Sequence, residues 1–327
     1  MAFVDCVRAI LSDDICILPT ETVYGLACSA LSVNAVKKVY KLKGRPSTNP
    51  LIVHVLNHRS AGEICLTNEY SRKLAKVFWP GPLTLILPKK KSIPNEITAG
   101  LSSVAIRSPS HPLFRKILEQ VQLPLAAPSA NPSNKLSPTK FEIAVAAFGK
   151  NCPPILDGGP CDIGIESTVL NLTSASPTIL RLGPITKDAI EKVLEIKVEC
   201  PLKGTKLRKV GKAEQSPGQG YKHYSPNTPV YLYSTLEQML NLNTINKHDI
   251  LILPHNNSSV LSTTINNSVL YLSSNGAPSE ITRNLFKILN DADKLKKKRI
   301  HVALFQEDNG LLSAVNDRLS RAATERF

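Results

Sequence analysis

The chain has 327 residues, which is long for one hydrophobic core and predicts about two domains. Hydrophobic residues make up 42% and charged residues 20%, a composition typical of globular proteins that excludes a wholly disordered chain. Lys and Arg number 40 against 26 Asp and Glu, and the net charge of +14 favours anionic partners such as nucleotides or RNA.

The apolar runs do not predict a membrane span or a secretion signal. The longest, such as 83–88, are far shorter than the ~20 residues that a spanning helix needs. Residues 3–11 form an amphipathic helix pattern instead of a signal peptide. The seven cysteines are scattered and include no C-x-x-C, so neither a disulfide framework nor a zinc site is expected. We therefore expect a cytoplasmic protein without a membrane partner.

The region from 15 to about 194 alternates short apolar runs with helical periodicity, which predicts an α/β domain. Examples of the predicted strands are 15–18, 51–55, 83–87 and 103–107. The helices are predicted at 33–42, 70–78, 112–120, 140–148 and 186–194.

Charge divides the chain into three regions. Residues 1–195 carry +7, 196–228 carry +5 and 229–327 carry +2. The middle region is rich in Lys, Gly and Pro and has no periodicity, so we predict a linker there. Beyond it a smaller α/β domain is predicted, with strands at 230–233, 249–253, 269–272 and 301–305 and helices at 235–242, 279–298 and 314–323.

The chain lacks the usual motifs of several enzyme classes. It has no G-x-x-x-x-G-K-[ST], no G-x-G-x-x-G after a strand, no G-x-S-x-G and no H-E-x-x-H. A P-loop NTPase, a Rossmann dehydrogenase, an α/β-hydrolase and a zinc protease are therefore disfavoured. What remains are polar clusters where predicted strands end.

The first two clusters each have two interpretations. Residues 19–26 follow a strand and could bring backbone close to a ligand, or Thr20 or Thr22 could simply be the N-cap of a helix. Lys43 and Arg45 would suit a phosphate chain, or could belong to a solvated basic loop.

Two residues at strand ends also have two possible interpretations each. His54 lies in an apolar strand and is either a ligand contact or a hydrogen-bonded core histidine. Arg107 ends the apolar strand at 103–107, where an unpaired cation is costly, so it meets a protein carboxylate or binds a ligand carboxylate. The basic run 294–299, at the end of a predicted helix, is interpreted as solvated cations that complement the helix dipole.

Taken together and in order, the clusters resemble the motifs of the YrdC-type threonylcarbamoyl-AMP synthases. They are Pro-Thr-Glu-Thr-Val-Tyr-Gly-Leu (19–26), Lys-Gly-Arg-Pro (43–46), Asn-Pro-Leu (49–51), Trp-Pro-Gly-Pro-Leu-Thr (79–84), Arg-Ser-Pro (107–109), Pro-Ser-Ala-Asn (128–131) and Glu-Ser-Thr (166–168). Residues 216–226 and 316–323 are similar to the two-domain form of the family, although Gln219, Gly220 and Leu312 depart from its pattern.

The resemblance implies a fold and a reaction. The fold is a twisted mixed-sheet YrdC-like domain over 1–195, a linker over the active site at 196–228 and a small Rossmann-like α/β domain over 229–327. The reaction condenses L-threonine, bicarbonate and ATP to threonylcarbamoyl-AMP and pyrophosphate, and the tRNA threonylcarbamoyl-transfer machinery then uses the adenylate. This nucleotidyl transfer needs positioning and charge stabilisation and no protein nucleophile. Mg²⁺ is expected with ATP, held mainly by phosphates and water, with no metal site of the protein's own.

The resemblance also assigns residues. The threonine site would consist of Thr22, His54, Arg107, Ala127 and Ser167, with Arg107 binding the carboxylate. ATP would be held by Arg45, Asn49, Ser103, Ser129, Asn131, Ser137 and Arg181, with Lys43 and Arg45 catalytic. Tyr224, from the linker, is expected to reach the nucleotide as part of a lid.

Two alternatives remain open. An RNA-binding module could use the basic first domain and linker, at least for weak RNA binding, although no RNA-binding aromatic signature is present. A carbamoyl-transfer enzyme could share the first domain, but would not be expected to carry this linker and second domain.

Overall fold

A computed structural model describes residues 1–200, 224–241, 245–256, 268–306 and 310–327. The described residues form two compact units. The first comprises Met1–Ser133, Ser137–Asp162 and 166–200, and the second comprises the described residues from 224 onward with Asn134–Leu136 and Ile163–Ile165. Most of the predicted linker, 201–223, lies outside the described residues.

The first unit is built on an eight-stranded mixed sheet in the order β1-β2-β6-β3-β5-β4-β7-β8. Two pairs, β3 with β5 and β4 with β7, are parallel, and the other neighbours are antiparallel. The strands are β1 Cys16–Leu18, β2 Gly25–Ser29, β3 Ile52–His54, β4 Leu83–Pro88, β5 Ser103–Arg107, β6 Leu125–Ala126, β7 Thr168–Asn171 and β8 Thr178–Arg181. The predicted mixed-sheet α/β fold is confirmed.

The helices of this unit agree with the periodic segments of the sequence to within a residue at most ends. They are α1 Ala2–Leu11, α2 Val33–Lys43, α3 His58–Ile64, α4 Glu69–Phe78, α5 Asn95–Thr98, α6 Pro112–Val121, α7 Phe141–Phe148 and α8 Lys187–Leu194. Sequence periodicity missed α3 and α5, because seven and four residues are too few to establish a helical pattern. Separate apolar clusters pack against the sheet, and β2 is buried along its whole length.

The segment between β1 and β2 is a tight turn, and the helix-cap interpretation of Thr20 and Thr22 is wrong. The Thr20 hydroxyl accepts hydrogen bonds from the backbone N–H groups of Thr22 and Val23, both at 3.1 Å, and donates to the Val23 carbonyl at 2.6 Å. These bonds close a turn on the hydroxyl, and the chain continues as strand β2.

The second unit contains a parallel five-stranded sheet in the order β11-β10-β12-β9-β13. Its strands are β9 Val230–Tyr233, β10 Asp249–His255, β11 Ser268–Ser273, β12 Arg299–Ala303 and β13 Glu325–Arg326. Its helices are α9 Leu236–Leu240, α10 Pro278–Lys294 and α11 Leu311–Ala322. This parallel α/β arrangement agrees with the predicted Rossmann-like domain.

The interpretation of 294–299 as the last turn of a helix is wrong for all but its first residue. Helix α10 ends at Lys294, four residues before the predicted end. Lys298 donates its backbone N–H to the His248 carbonyl at 2.8 Å, and Arg299 binds both carboxylate oxygens of Asp249 at 3.0 and 3.2 Å. Pairing with β10 therefore starts β12 two residues earlier than predicted.

Candidate active site

Arg107, at the end of β5, is the central side chain of the site. It is 4% exposed and is held by three protein groups. Its Nε donates to the Gly81 carbonyl at 3.2 Å and its Nη1 to the Thr22 hydroxyl at 2.9 Å, while Nη2 lies 2.7 Å from Glu21 Oε1. The protein-carboxylate alternative is therefore confirmed. Because a guanidinium has five N–H groups, these contacts still leave donors for a ligand.

Glu21 is the principal residue that sequence reasoning missed. Burial acts to raise the pKa of this carboxyl, but the Arg107 charge and hydrogen bonds outweigh burial and lower the pKa, so Glu21 is ionised. The signal was available, because an acid in a buried strand-end motif needs a cationic partner.

His54 lies beside Arg107 because β3 and β5 are parallel neighbours in which these two residues are paired. Burial, with the Arg107 charge in addition, lowers the pKa of His54 from 6.5 to about 3, so the imidazole is neutral. Its Nδ1 is buried and has no hydrogen-bond partner in the described part of the chain. A core histidine usually satisfies both nitrogens, so this geometry favours the ligand-contact interpretation.

Two further predicted residues lie together where β7 and β8 meet. Arg181 donates from Nε to the Ser167 carbonyl and from Nη2 to the Ser167 hydroxyl, both at 3.0 Å. The Ser167 hydroxyl also lies 2.7 Å from the Thr84 hydroxyl. Ala127 follows β6 and joins β3, since its backbone N–H donates to the Ile52 carbonyl at 3.1 Å.

Lys43 is the last residue of α2 and is 3% exposed, so the solvated-loop interpretation is wrong for this residue. Its Nζ donates to the carbonyls of Ser129 and Asn131, both at 2.5 Å. Burial lowers the pKa of Lys43 well below its ordinary value, and the neighbouring Arg45 charge lowers it further. The fold thus brings Lys43 to the Pro-Ser-Ala-Asn loop, 86 residues away along the chain.

Arg45 is only partly buried and is fixed by the loop that follows it. Its Nε donates to the Asn49 carbonyl at 3.0 Å, and its Nη2 donates to the Asn49 side chain and to the Pro50 carbonyl. Ser137, beyond the Pro-Ser-Ala-Asn loop, donates its hydroxyl to Glu166 Oε1 at 2.6 Å. Glu166 is a second carboxylate to which the sequence assigned no role.

Ser103 lies away from the Arg107 cluster. The two residues occupy opposite ends of β5, about 13 Å apart at the usual rise of a strand, and face the same side of the sheet. Ala105 lies between them on that face. It belongs to a small apolar cluster with Ile52, Ile86, Val169 and Leu180. Sequence reasoning did not identify this cluster, because its members come from five strands.

Tyr224 belongs to the second unit. Its ring is 1% exposed and packs on Phe286, with ring centroids 5.3 Å apart, and on Arg318, whose Cζ is 5.5 Å from the ring centroid. The predicted contact of Tyr224 with ATP stays a prediction.

Across the five described ranges, no three His, Cys, Asp or Glu side chains gather as a metal-binding group. Nor does any helix there have the length and hydropathy to cross a membrane.

Comparison with known proteins places these observations in a family. Residues 8–183 match the Sua5/YciO/YrdC family, described as "Telomere recombination". Residues 185–324 match the Sua5 C-terminal family, described as "Threonylcarbamoyl-AMP synthase, C-terminal domain".

Individual relatives agree with both matches. The threonylcarbamoyl-AMP synthase of Pyrococcus abyssi is 39% identical over 320 residues, which cover 94% of this chain and 90% of that protein. That of Bacillus subtilis is 45% identical over 221 residues, or 67% of this chain and 62% of that protein. The crystal structure of P. abyssi Sua5 complexed with L-threonine matches with a TM-score of 0.87 and 35% identity, over 100% of this chain and 96% of that one. This chain belongs to the Sua5/YciO/YrdC family, in the form that carries the Sua5 C-terminal domain.

Proposed function

We propose that the protein is an L-threonylcarbamoyladenylate synthase, a nucleotidyltransferase that condenses L-threonine, bicarbonate and ATP to threonylcarbamoyl-AMP and pyrophosphate. The observation that carries this proposal is the buried guanidinium of Arg107, which keeps free donors beside the neutral His54 and the Thr22 hydroxyl. The names of the relatives, and the L-threonine bound in the P. abyssi structure, support the same activity.

In the proposed threonine site, Arg107 binds the amino-acid carboxylate through two N–H groups. Such a bidentate pair fixes the orientation of the substrate as well as its charge. His54 carries an unpartnered, buried Nδ1, which supports a direct contact with the amino acid. Thr22, Ala127 and Ser167 complete the predicted set, and their small side chains leave room for a ligand.

ATP is proposed to lie along the sheet face that begins at Arg107 and ends near Ser103. The apolar cluster around Ala105 would contact the uncharged part of the nucleotide. Arg45 and Arg181 would supply positive charge to the phosphates, and the phosphate charge would in turn keep Lys43 protonated against the effect of burial on its pKa. The remaining predicted contacts are Asn49, Ser129, Asn131, Ser137 and Tyr224.

In the proposed reaction, the threonine amine first combines with bicarbonate to give a carbamate, as a C–N bond forms and a C–O bond breaks with release of water. A carbamate oxygen then attacks the α-phosphate, the bond to the pyrophosphate oxygen breaks, and pyrophosphate leaves. The residues contribute alignment of the two substrates and stabilisation of the charge that develops on the phosphate, a role assigned to Lys43 and Arg45.

Mg²⁺ is proposed to enter with ATP. The described residues around Arg107 and Lys43 are cations, hydroxyls and carbonyls, and the two buried carboxylates are engaged by Arg107 and Ser137. This donor set suits phosphate oxygens better than a metal cage, so phosphates and water would hold the ion. We also propose a cytoplasmic location, which the seven free cysteines support.

The decisive experiment is incubation with ATP, Mg²⁺ and bicarbonate, with and without L-threonine. Pyrophosphate is measured by a coupled assay and the adenylate by mass spectrometry. We expect both products only when threonine is present, and none when Mg²⁺ is chelated. Salt-sensitive RNA binding without threonine-dependent pyrophosphate release would overturn the proposal in favour of an RNA-binding module.

A further inference from the structure

The segment 154–159, which precedes the Glu-Ser-Thr motif, runs alongside β1 and the turn that follows it. The Ile17 backbone N–H donates to the Pro154 carbonyl at 2.8 Å, and the Leu156 N–H donates to the Ile17 carbonyl at 3.0 Å. These two bonds align the segment 154–159 with the chain entering the turn Pro19–Tyr24. All of these residues belong to the first unit.

Beyond these two hydrogen bonds, Gly158 packs directly on Pro19. A Cβ atom added to Gly158 would lie 2.6 Å from Pro19 Cβ and Cγ and 2.8 Å from His111 Cε1. Non-bonded carbon atoms do not come this close to each other, so only glycine can occupy this position against Pro19. The contact fixes the entry to the turn.

The exit from the turn is fixed by Tyr24, which is fully buried. Its hydroxyl accepts a hydrogen bond from the Gly158 N–H at 3.1 Å and donates one to the Gly159 carbonyl at 2.7 Å. One side chain thus binds two successive peptide groups of the segment 154–159.

Between these two attachment points lie Glu21 and Thr22. Both orient Arg107, through the 2.7 Å contact of Glu21 with Nη2 and the 2.9 Å hydrogen bond of Thr22 with Nη1. A displacement of the turn would therefore move two of the three protein groups that hold the guanidinium.

We propose that Tyr24 and Gly158 are positioning residues for the binding of the amino-acid carboxylate. Together they attach the turn Pro19–Tyr24 to the segment 154–159. The turn then holds Glu21 and Thr22 where they orient Arg107 toward the substrate. Neither residue touches the substrate. This inference rests on the proposed function, because it assumes that Arg107 binds threonine.

The first test compares Tyr24→Phe with Thr98→Val in the full-length enzyme. Tyr24→Phe removes both hydrogen bonds to the segment 154–159 and keeps the buried ring. Thr98→Val also removes a buried hydroxyl of the first unit, one that donates to the Leu101 carbonyl at 2.9 Å, but far from the turn along the chain. We expect Tyr24→Phe to raise the KM for L-threonine about fivefold, while the KM for ATP stays unchanged.

The second test compares Gly158→Ala with Gly62→Ala. The added methyl group at Gly158 must push Pro19 away, whereas a Cβ at Gly62 meets nothing within 4 Å. We expect the same selective rise in the KM for threonine in Gly158→Ala only. A purely structural role would instead lower the melting temperature and the active fraction of the enzyme. It would then reduce kcat without a selective rise in the KM for threonine.

The outcomes separate the two levels of inference. A wild-type enzyme that makes the adenylate, with unchanged KM for threonine in Tyr24→Phe and Gly158→Ala, overturns the positioning role and leaves the proposed function intact. A wild-type enzyme that makes no threonine-dependent adenylate overturns both. A selective rise in the KM for threonine in both variants, absent from Thr98→Val and Gly62→Ala, supports the inference.

Discussion

At the scale of single residues, the charges of the site are arranged in two groups. Arg107 is neutralised in part by Glu21, which lowers the cost of burying the guanidinium before a substrate arrives. Lys43 and Arg45 donate to carbonyl and amide oxygens. The first group therefore suits a singly charged carboxylate and the second suits a polyanion.

This difference predicts that two alanine variants separate the two substrates. Arg107→Ala should abolish threonine-dependent turnover, because it removes the proposed carboxylate ligand and leaves Glu21 buried without its cation. Lys43→Ala should chiefly raise the KM for ATP and reduce kcat. Steady-state kinetics with each substrate varied in turn checks both, and full activity in either variant would contradict the role assigned to it.

His54 predicts a pH dependence of stability. Its pKa of about 3 in the folded protein lies below the ordinary 6.5, so between these values the unfolded chain binds a proton that the folded protein does not. Stability is therefore highest above pH 6.5 and falls as the pH drops toward 3, by up to roughly 4 kcal/mol from this residue. The pKa of Glu21 is also lowered in the folded protein, so protonation of this carboxyl removes further stability as the pH falls into the acidic range.

Denaturant unfolding at a series of pH values checks this prediction. The free energy of unfolding of His54→Gln should fall less steeply between pH 6.5 and 4 than that of the wild type. Parallel curves for the two proteins would mean that the imidazole is protonated in the folded state.

At the scale of elements, the ends of strands and helices place the site. The parallel pairing of β3 with β5 brings His54 next to Arg107, and helix α2 delivers Lys43 at its last residue. The helix has a Ser32 N-cap that accepts from the Ala35 N–H, and it ends at Gly44, whose φ of 59° is left-handed.

The two ends of α2 predict a matched pair of variants. Gly44→Ala and Ser32→Ala should each cost about 1 kcal/mol of stability, the first from left-handed strain and the second from the lost cap. Only Gly44→Ala should raise the KM for ATP, because Gly44 adjoins both Lys43 and Arg45. Thermal unfolding and ATP kinetics check the pair, and an equal change of KM in both variants would show that helix stability alone sets ATP binding.

At the scale of the whole molecule, we predict from the sequence that 1–195, 196–228 and 229–327 are domain, linker and domain. Limited digestion with trypsin tests this division. The first cuts should fall within 196–228, which carries seven basic residues and no hydrophobic periodicity. The run 294–299 is more densely basic, with five Lys and Arg in six residues, but its last residue is already paired in β12, so it should be cut later.

The cleavage sites are identified from the masses of the fragments by mass spectrometry. Two fragments that separate near 196–228 are the expected product. First cuts inside 294–299 would contradict the proposed division.

Periodicity and strand-end motifs were enough to predict most elements, the mixed α/β fold and the polar clusters, because these features depend on residues close together in the chain. They left open which interpretation of Arg107 and Lys43 holds. The pairing of Arg107 with Glu21, the burial of Lys43 and the bonds of Tyr24 to Gly158 and Gly159 join residues 86 to 135 positions apart. Only the tertiary structure decides such contacts, because strand order and register determine which distant side chains share a buried environment.

The net charge of +14 is likewise interpreted partly from the sequence and partly from the tertiary structure. Composition indicates an anionic partner, but it does not distinguish RNA from a nucleotide. The fold does distinguish among the cations, since among the described residues of the first unit it buries Lys43, Arg107 and Arg181 and leaves the others at least partly exposed. A buried cation must have its charge compensated locally, and in the first unit a small anionic substrate can supply that compensation, whereas Arg318 of the second unit is compensated by Asp317 at 3.0 Å.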